Sequence, residues 1–259
     1  MSLSRIWVIA SNVFKEVIRD RVLYLIALYA VLLLAVAGLL PQIAAGAQDK
    51  ITLDLGLAGI HLLGLIVTVF VGTSLINKEI EKRTVQILIT KPISRLEFIV
   101  GKHLGLSAVL AVLLALLTAI YLGILAINQI AFSWTSIWLA VLFTFIEMAL
   151  LTAFAMLFGA FTSSLLATLL TLAIYFMGHL SGDIVALGQL SENAGLQRIA
   201  NSLYLVLPDL ERLNIRNEAV YGLSLLPSAL ELISHLAYGL FYIVLLLTLS
   251  VIVFARRQF

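Results

Sequence analysis

The chain has 259 residues, of which 62% are hydrophobic and only 12% are charged, and its mean hydropathy is +1.12. These values exclude a soluble globular domain and indicate an integral membrane protein. The net charge is only +2 and cysteine is absent, so nucleic-acid binding, disulfides, thiolate catalysis and cysteine-ligated metals are not expected.

The first segment, residues 1–21, is predicted to form an amphipathic helix on the membrane surface. Apolar side chains between Ile6 and Ile18 fall on one helical face, polar ones such as Lys15 fall on the other, and Trp7 suits the membrane interface. A cleaved secretory signal is the competing interpretation, because residues 45–47 resemble a cleavage site. The charged leader and the apolar run are both too long for such a signal.

Six apolar segments follow, each about long enough for a helix that crosses a bilayer. They are Val22–Leu40, Leu55–Ile76, Leu104–Ile127, Thr135–Phe158, Leu165–Ala186 and Leu232–Phe254. Within each segment, apolar residues occur on all faces instead of alternating with polar ones along the chain. This pattern favours helices over the strands of a barrel. The predicted fold is therefore all-α, with one transmembrane domain over residues 1–259.

Lysine and arginine are concentrated on one side of these spans. They precede the first span, fill the second connection and end the chain, whereas the other side receives only Lys50, Arg198, Arg212 and Arg216. The positively charged side is expected to face the cytoplasm. This predicts a multi-pass protein of the cell inner (plasma) membrane with both termini in the cytoplasm.

Residues 77–103 form the only long, densely charged connection between two spans. A short amphipathic helix is predicted up to Lys91, where Pro92 disfavours helical geometry. A second short helix is predicted from Ser94, because Ser94 and Glu97 have the spacing of a capping box. A rigid element of this kind suits the transmission of force to a partner, although an ordinary basic loop is the alternative.

Polar side chains within the second, fourth and fifth spans are candidates for a translocation path. Glu147 is placed near the middle of a span, where a carboxyl must be protonated, paired or facing water. It is a candidate for coupling or substrate contact, and a neutral carboxyl bonded to a neighbouring helix is the alternative. The other candidates lie on helical stripes that suit either a passage or close packing: Thr68, Thr168, Thr171 and Tyr175.

The extracytoplasmic segment, residues 184–231, is the longest connection between two spans. Its apolar pattern ends at Pro208 and is followed by a polar stretch, which fits short helices at the outer membrane surface better than a folded domain. A gate and a passive cap are both compatible with this pattern.

The chain lacks the motifs of common enzymes and nucleotide-binding proteins. There is no P-loop, no His-Glu-x-x-His and no Gly-x-Ser-x-Gly, so neither ATP binding by that route nor hydrolase activity is expected. His61, His179 and His235 are predicted towards the outer side on separate helices, which leaves a haem or metal site open, although packing histidines are commoner.

The charged connection resembles a known family. Glu79-Ile80-Glu81-Lys82-Arg83-Thr84, followed by Lys91-Pro92-Ile93-Ser94-Arg95 and Gly101-Lys102, is similar to the cytoplasmic connection of type-2 ABC transporter permeases, especially that of the nitrous-oxide-reductase maturation system. The leader from Phe14 to Arg21 is similar to theirs too. With the six spans, the likeness extends over essentially the whole chain.

The resemblance implies an ABC exporter in which this chain is not itself an enzyme. Two such subunits, identical or related, would pair in membrane lipid, and separate ATPase subunits would bind ATP and Mg²⁺ and drive them. No cofactor is expected in this chain, and the second and fifth spans would border the path. The residues expected to couple the permease to the ATPase are Glu79, Glu81, Arg83, Thr84, Lys91, Pro92, Ser94 and Arg95.

Two classes of alternative stay open at the level of sequence. One is a non-transporting membrane scaffold or a haem-bearing electron carrier. The other is a secondary transporter, which a single mid-membrane carboxyl and the absence of an internal repeat support poorly. The substrate cannot be read from the sequence.

Overall fold

The protein is described by a computed structural model of residues 2–18, 23–43, 46–81, 94–191 and 207–256, together with Gly195, Gln197, Arg198, Ala200, Ser202 and Tyr204. These residues form α-helices and 3-10 turns, and no strand occurs among them. The α-helices are α1 (Leu3–Val17), α2 (Leu23–Ile43), α3 (Gln48–Glu81), α4 (Arg95–Ile127), α5 (Trp134–Phe161), α6 (Ser164–Leu190), α7 (Arg216–Tyr221) and α8 (Ala229–Arg256).

Six of these helices are long and apolar enough to cross a membrane, namely α2, α3, α4, α5, α6 and α8. The six predicted spans and the all-α membrane fold are therefore confirmed. The turn between α5 and α6 is tight, since only Thr162 and Ser163 separate the two helices.

The prediction of a separate short helix after Ser94 is wrong. The capping box is present, with the Glu97 amide donating to Ser94 Oγ and the Ser94 amide donating to the Glu97 carboxylate. From this cap, however, α4 continues without interruption for 33 residues into the third span. The charged first turns extend the membrane helix because their side chains find partners within the protein, as described below.

Helix α5 forms the centre of the bundle. It packs against α3, α4, α6, α7 and α8, and 78% of its most apolar stretch is buried, compared with 17% for α2 and α8. Small residues allow this close packing: a Cβ at Gly72 of α3 would lie 3.1 Å from Ala155 Cβ of α5.

Helix α1 lies against the first turns of α4. Its buried face consists of Ile6, Ala10, Val13 and Val17, while Trp7 on the opposite face is exposed. A Cβ at Gly105 of α4 would lie only 2.7 Å from Ala10 O and from Val13 Cβ. The glycines of α4 therefore bring α1 into direct contact with the helix backbone.

The two ends of the bundle differ. One end, called here the terminal end, holds both the start of α1 and the end of α8, because Ser2 contacts Glu97 and Arg95 contacts Ala255. The opposite end, called here the loop end, carries residues 207–228. This segment packs against α5, α6 and α8 through buried Leu210 and Leu213, so it covers the loop end of the bundle.

Candidate functional site

Some of the predicted coupling residues lie at the terminal end, and the others fall outside the described residues. Arg83, Thr84, Lys91 and Pro92 lie outside them, as does the side chain of Glu81. Glu79, Ser94 and Arg95 flank this undescribed stretch, residues 82–93, and the structure shows what holds each of them.

Glu79 and Arg95 connect neighbouring helices. The Glu79 carboxylate at the end of α3 accepts a hydrogen bond of 2.8 Å from Lys102 Nζ of α4. Arg95 at the start of α4 donates to the carbonyl of Ala255 near the end of α8, and the rings of Phe98 and Phe254 stack beside it. Both flanks of residues 82–93 are thereby fixed to each other and to α8.

Glu97, which the sequence indicated only as a capping residue, also holds α1. Its carboxylate accepts a hydrogen bond of 2.7 Å from the Ser2 amide, and Arg5 Nη1 lies 3.9 Å from it. The Glu97 carboxylate thus joins the start of α1 to the start of α4. The capping spacing revealed Glu97, but no signal in the sequence indicated Ser2 as its second partner.

A second polar group lies deep within the bundle, around Glu147. This carboxylate is fully buried in α5. His61 Nδ1 of α3 lies 3.5 Å from Glu147 Oε2, and His179 Nε2 of α6 lies 3.4 Å from Oε1. His235 is not among the ligand atoms that converge there within the described part of the chain.

Tyr175 of α6 supports both histidines. Its hydroxyl lies 3.0 Å from His61 Nε2, and its backbone carbonyl lies 3.0 Å from His179 Nδ1. Of the five path candidates, Glu147 and Tyr175 are therefore brought together. The sequence placed His61 and His179 towards the outer side, but helical spacing within one span does not specify which residues of other spans they meet.

The three threonine candidates lie in helix contacts. Thr68 and Thr171 are fully buried, and Thr168 is partly exposed. The hydroxyls of Thr168 and Thr73 lie 3.0 Å apart across α6 and α3, while Thr171 donates to Ala167 O in its own helix. Thr68 Oγ1 has no hydrogen-bond partner among the residues described. Thr168 therefore connects α6 to α3, and the role of all three threonines in a path stays a prediction.

Residues 207–216 cover the Glu147 group from the loop end. Arg216 and Glu211 act electrostatically on Glu147 with opposite sign. Arg212 donates hydrogen bonds of 3.0 Å to the Tyr204 hydroxyl and to Asp209 Oδ2. The hydrogen bond to Tyr204 and, to a smaller extent, the one to Asp209 raise the pKa of the Arg212 guanidinium above its ordinary value, so this cation keeps its proton.

A cavity of about 570 Å³ opens beside this cover. Asp54, Leu57 and Ala58 of α3 line it on one side, and Asn217 and Arg216 line it on the other. Arg216 therefore contributes to the cavity wall and also acts on the buried carboxylate.

The model of the family described as ABC-2 family transporter protein matches residues 7–259. No curated protein matches the sequence significantly. Because the family model covers nearly the whole chain, the chain belongs to the ABC-2 family of transporter proteins, as a membrane-spanning permease component of an ABC transporter.

Proposed function

We propose that this permease is one half of an ATP-driven exporter and that residues 82–93 bind a separate ATPase subunit. The observation that carries the proposal is the attachment of both flanks of this stretch to the membrane helices. Glu79 at one flank pairs with Lys102, and Ser94 and Arg95 at the other contact Glu97 and Ala255. Force applied between these flanks reaches four helices through direct contacts.

The contacts specify which helices move together. The Glu79–Lys102 pair joins α3 to α4, and α1 follows α4 because of the Glu97 carboxylate and the glycine contacts. ATP-dependent closure of the partner ATPase would shift the permease between two conformations by binding one of them better. The terminal end is the cytoplasmic side in this proposal, in line with its excess of lysine and arginine.

A second permease subunit, identical or related, completes the proposed transporter. The polar groups of α3, α5 and α6, namely Thr68, Glu147, Thr168, Thr171 and Tyr175, would border the path of the substrate. The resemblance to the permease of the nitrous-oxide-reductase maturation system stays a prediction, as does the direction of transport.

The first test is gentle detergent purification from the native membrane. We expect an ABC ATPase to co-purify in an equal amount and to hydrolyse ATP with sensitivity to vanadate. Purification of the chain alone, with no effect of ATP, would contradict the proposal and favour a scaffold or a haem protein. An absorption spectrum of the same sample separates these two alternatives.

A charge-swap experiment tests how Glu79 takes part in coupling. We expect Glu79→Lys to uncouple ATP hydrolysis from transport, because two cations then face each other between α3 and α4. The double variant Glu79→Lys with Lys102→Glu restores an ion pair and is expected to restore coupling. If the double variant stays uncoupled although it purifies normally, Glu79 acts on the ATPase directly instead of joining the helices. Glu81→Lys and Pro92→Ala leave this pair intact. Each is expected to uncouple ATP hydrolysis from transport by itself.

A further inference from the structure

Three strong metal-ligand atoms converge in the centre of the bundle without hydrogen-bond partners among the described residues. They are His61 Nδ1 on α3, Glu147 Oε on α5 and His179 Nε2 on α6, and one such atom from each residue lies within 4.8 Å of the others. His61 is 4% exposed and Glu147 is fully buried. Buried polar atoms are normally satisfied, so a convergence of four unpartnered ones, counting both carboxylate oxygens, requires an explanation.

Hydrogen bonds to Tyr175 determine which imidazole nitrogens are free. The Tyr175 carbonyl can only accept, so His179 Nδ1 must carry the proton that it donates. In the neutral imidazole, His179 Nε2 therefore directs a lone pair towards Glu147 Oε1. When His61 Nε2 donates to the Tyr175 hydroxyl, His61 Nδ1 likewise directs a lone pair towards Oε2. An imidazole whose other nitrogen donates to a carbonyl or an oxygen is the usual arrangement of a metal-ligating histidine.

The distances fit an ion between these atoms better than direct hydrogen bonds. The two nitrogen–oxygen separations are 3.5 and 3.4 Å, longer than the usual N–H···O distance of about 2.9 Å. Two ligands bound tetrahedrally at about 2.0–2.1 Å from a zinc ion lie about 3.3 Å apart. Both nitrogen–oxygen separations are therefore close to that spacing, each nitrogen faces its own carboxylate oxygen, and one ligand atom from each residue lies within 4.8 Å of the others.

We propose that His61, Glu147 and His179 bind a divalent first-row transition-metal ion, with Tyr175 orienting both imidazoles. Two imidazoles and one carboxylate are ligands for Zn²⁺ and related ions, whereas Mg²⁺ and Ca²⁺ prefer oxygen ligands alone. Glu211 partly offsets the positive charge that Arg216 adds near the site. Three protein ligands leave at least one coordination position for water or for an exchanging ligand.

The test measures metal binding by the purified chain in detergent and requires no transport and no ATPase. Co²⁺ is the spectroscopic probe, because its visible absorption reports its ligands and geometry, and Zn²⁺ is then added as a competitor. We expect one Co²⁺ per chain, displacement of Co²⁺ by Zn²⁺, and no competition from Mg²⁺. The Glu147→Gln and His179→Gln variants are expected to lose the visible band.

Two further variants separate ligation from folding. His235→Gln changes a histidine of α8 outside the converging group and is expected to bind Co²⁺ like the unmodified chain. Tyr175→Phe keeps the ring and removes the hydroxyl that supports His61, so we expect metal affinity to fall by about 10–100-fold. Size-exclusion elution and melting temperature show whether each variant is folded.

Either of two results would overturn the proposal. One is the absence of Co²⁺ and Zn²⁺ binding by the folded, unmodified chain. The other is unchanged Co²⁺ binding by the folded Glu147→Gln and His179→Gln variants, which would place the ion elsewhere. Neither result depends on whether an ATPase partner is found, so the metal site and the proposed function are tested separately.

Discussion

At the scale of single residues, one carboxylate holds the start of α1 against the start of α4. Glu97 is only 3% exposed, and it accepts from the amides of Ser2 and Ser94 while lying close to Arg5. The first of these contacts spans 95 positions of the chain. Glu97 therefore caps its own helix, α4, and also holds the start of the distant helix α1.

We predict that Glu97→Ala lowers the melting temperature of the purified protein more than Ser94→Ala does. Ser94→Ala removes the capping hydroxyl, which costs about 1 kcal/mol, whereas Glu97→Ala removes the bonds to both Ser94 and Ser2. Thermal unfolding in detergent compares the two variants. Equal losses would mean that the bond to Ser2 contributes nothing measurable to stability.

At the scale of elements, the contact between α1 and α4 depends on the small size of two residues. Gly101 and Gly105 face Ile9, Ala10 and Val13 at distances that leave no room for a side chain. In contrast, Gly123 of the same helix has nothing within 4 Å of its Cβ position. The same substitution at two positions of α4 therefore distinguishes the effect of α1 from the effect of helix propensity.

We predict that Gly105→Val destabilises the protein by about 1–3 kcal/mol, the usual cost of overpacking, and weakens coupling to the ATPase. Gly123→Val is the matched control, and its folding and coupling are expected to stay close to those of the unmodified chain. Thermal unfolding and transport-coupled ATP hydrolysis give the two readouts. A similar loss in both variants would show that the α1 contact is not the cause.

At the scale of the whole molecule, residues 207–221 close the loop end across several helices. The Leu210 amide donates to Gly178 O of α6, and the Asp209 amide donates to the Tyr238 hydroxyl of α8. Leu210, Leu213 and Ile215 are all buried. Opening this end requires these apolar side chains to leave the bundle together.

We predict that Gly178→Ala displaces this cover, because its new Cβ would lie 2.6 Å from Leu210 Cγ and 2.9 Å from Pro208 O. Gly182→Ala, on the same helix but with open space at its Cβ, is the control. The chain has no cysteine, so Leu213→Cys introduces a single thiol at a buried position of the same cover and leaves Leu210 in place. Maleimide labelling of that thiol is expected to be faster with Gly178→Ala than with Gly182→Ala, and equal rates would contradict the prediction.

The spans were predictable because length and apolarity alone require a helix in a bilayer, whereas their ends were not. Helices α3 and α4 continue beyond the apolar runs into Glu79 and Lys102, which the sequence suggested as parts of a separate charged connection. The two charged side chains are tolerated at the ends of membrane helices because they pair with each other. Such pairing depends on neighbouring helices, so local composition does not reveal it.

The candidate site was predictable in part. Glu147 was recognisable from its type and depth, and His61 and His179 from their place in the outer half of their spans. All three lie about a dozen residues from the loop end of their helices, hence about 18 Å deep by helical rise. Equal depth permits contact, but the rotation of each helix about its axis decides it. That rotation results from packing against α5, which no single span encodes.

The position of α6 gives the buried group a thermodynamic role. His179 lies on α6, of whose most apolar stretch only 22% is buried, while Glu147 lies on the central α5. A lateral shift of α6 therefore changes the separation of the ligand atoms and, with it, the affinity for the proposed ion. If ATP binding to the proposed partner moves α6 relative to α5, the proposed ion and the nucleotide would be coupled, and by reciprocity each would change the affinity for the other by the same factor.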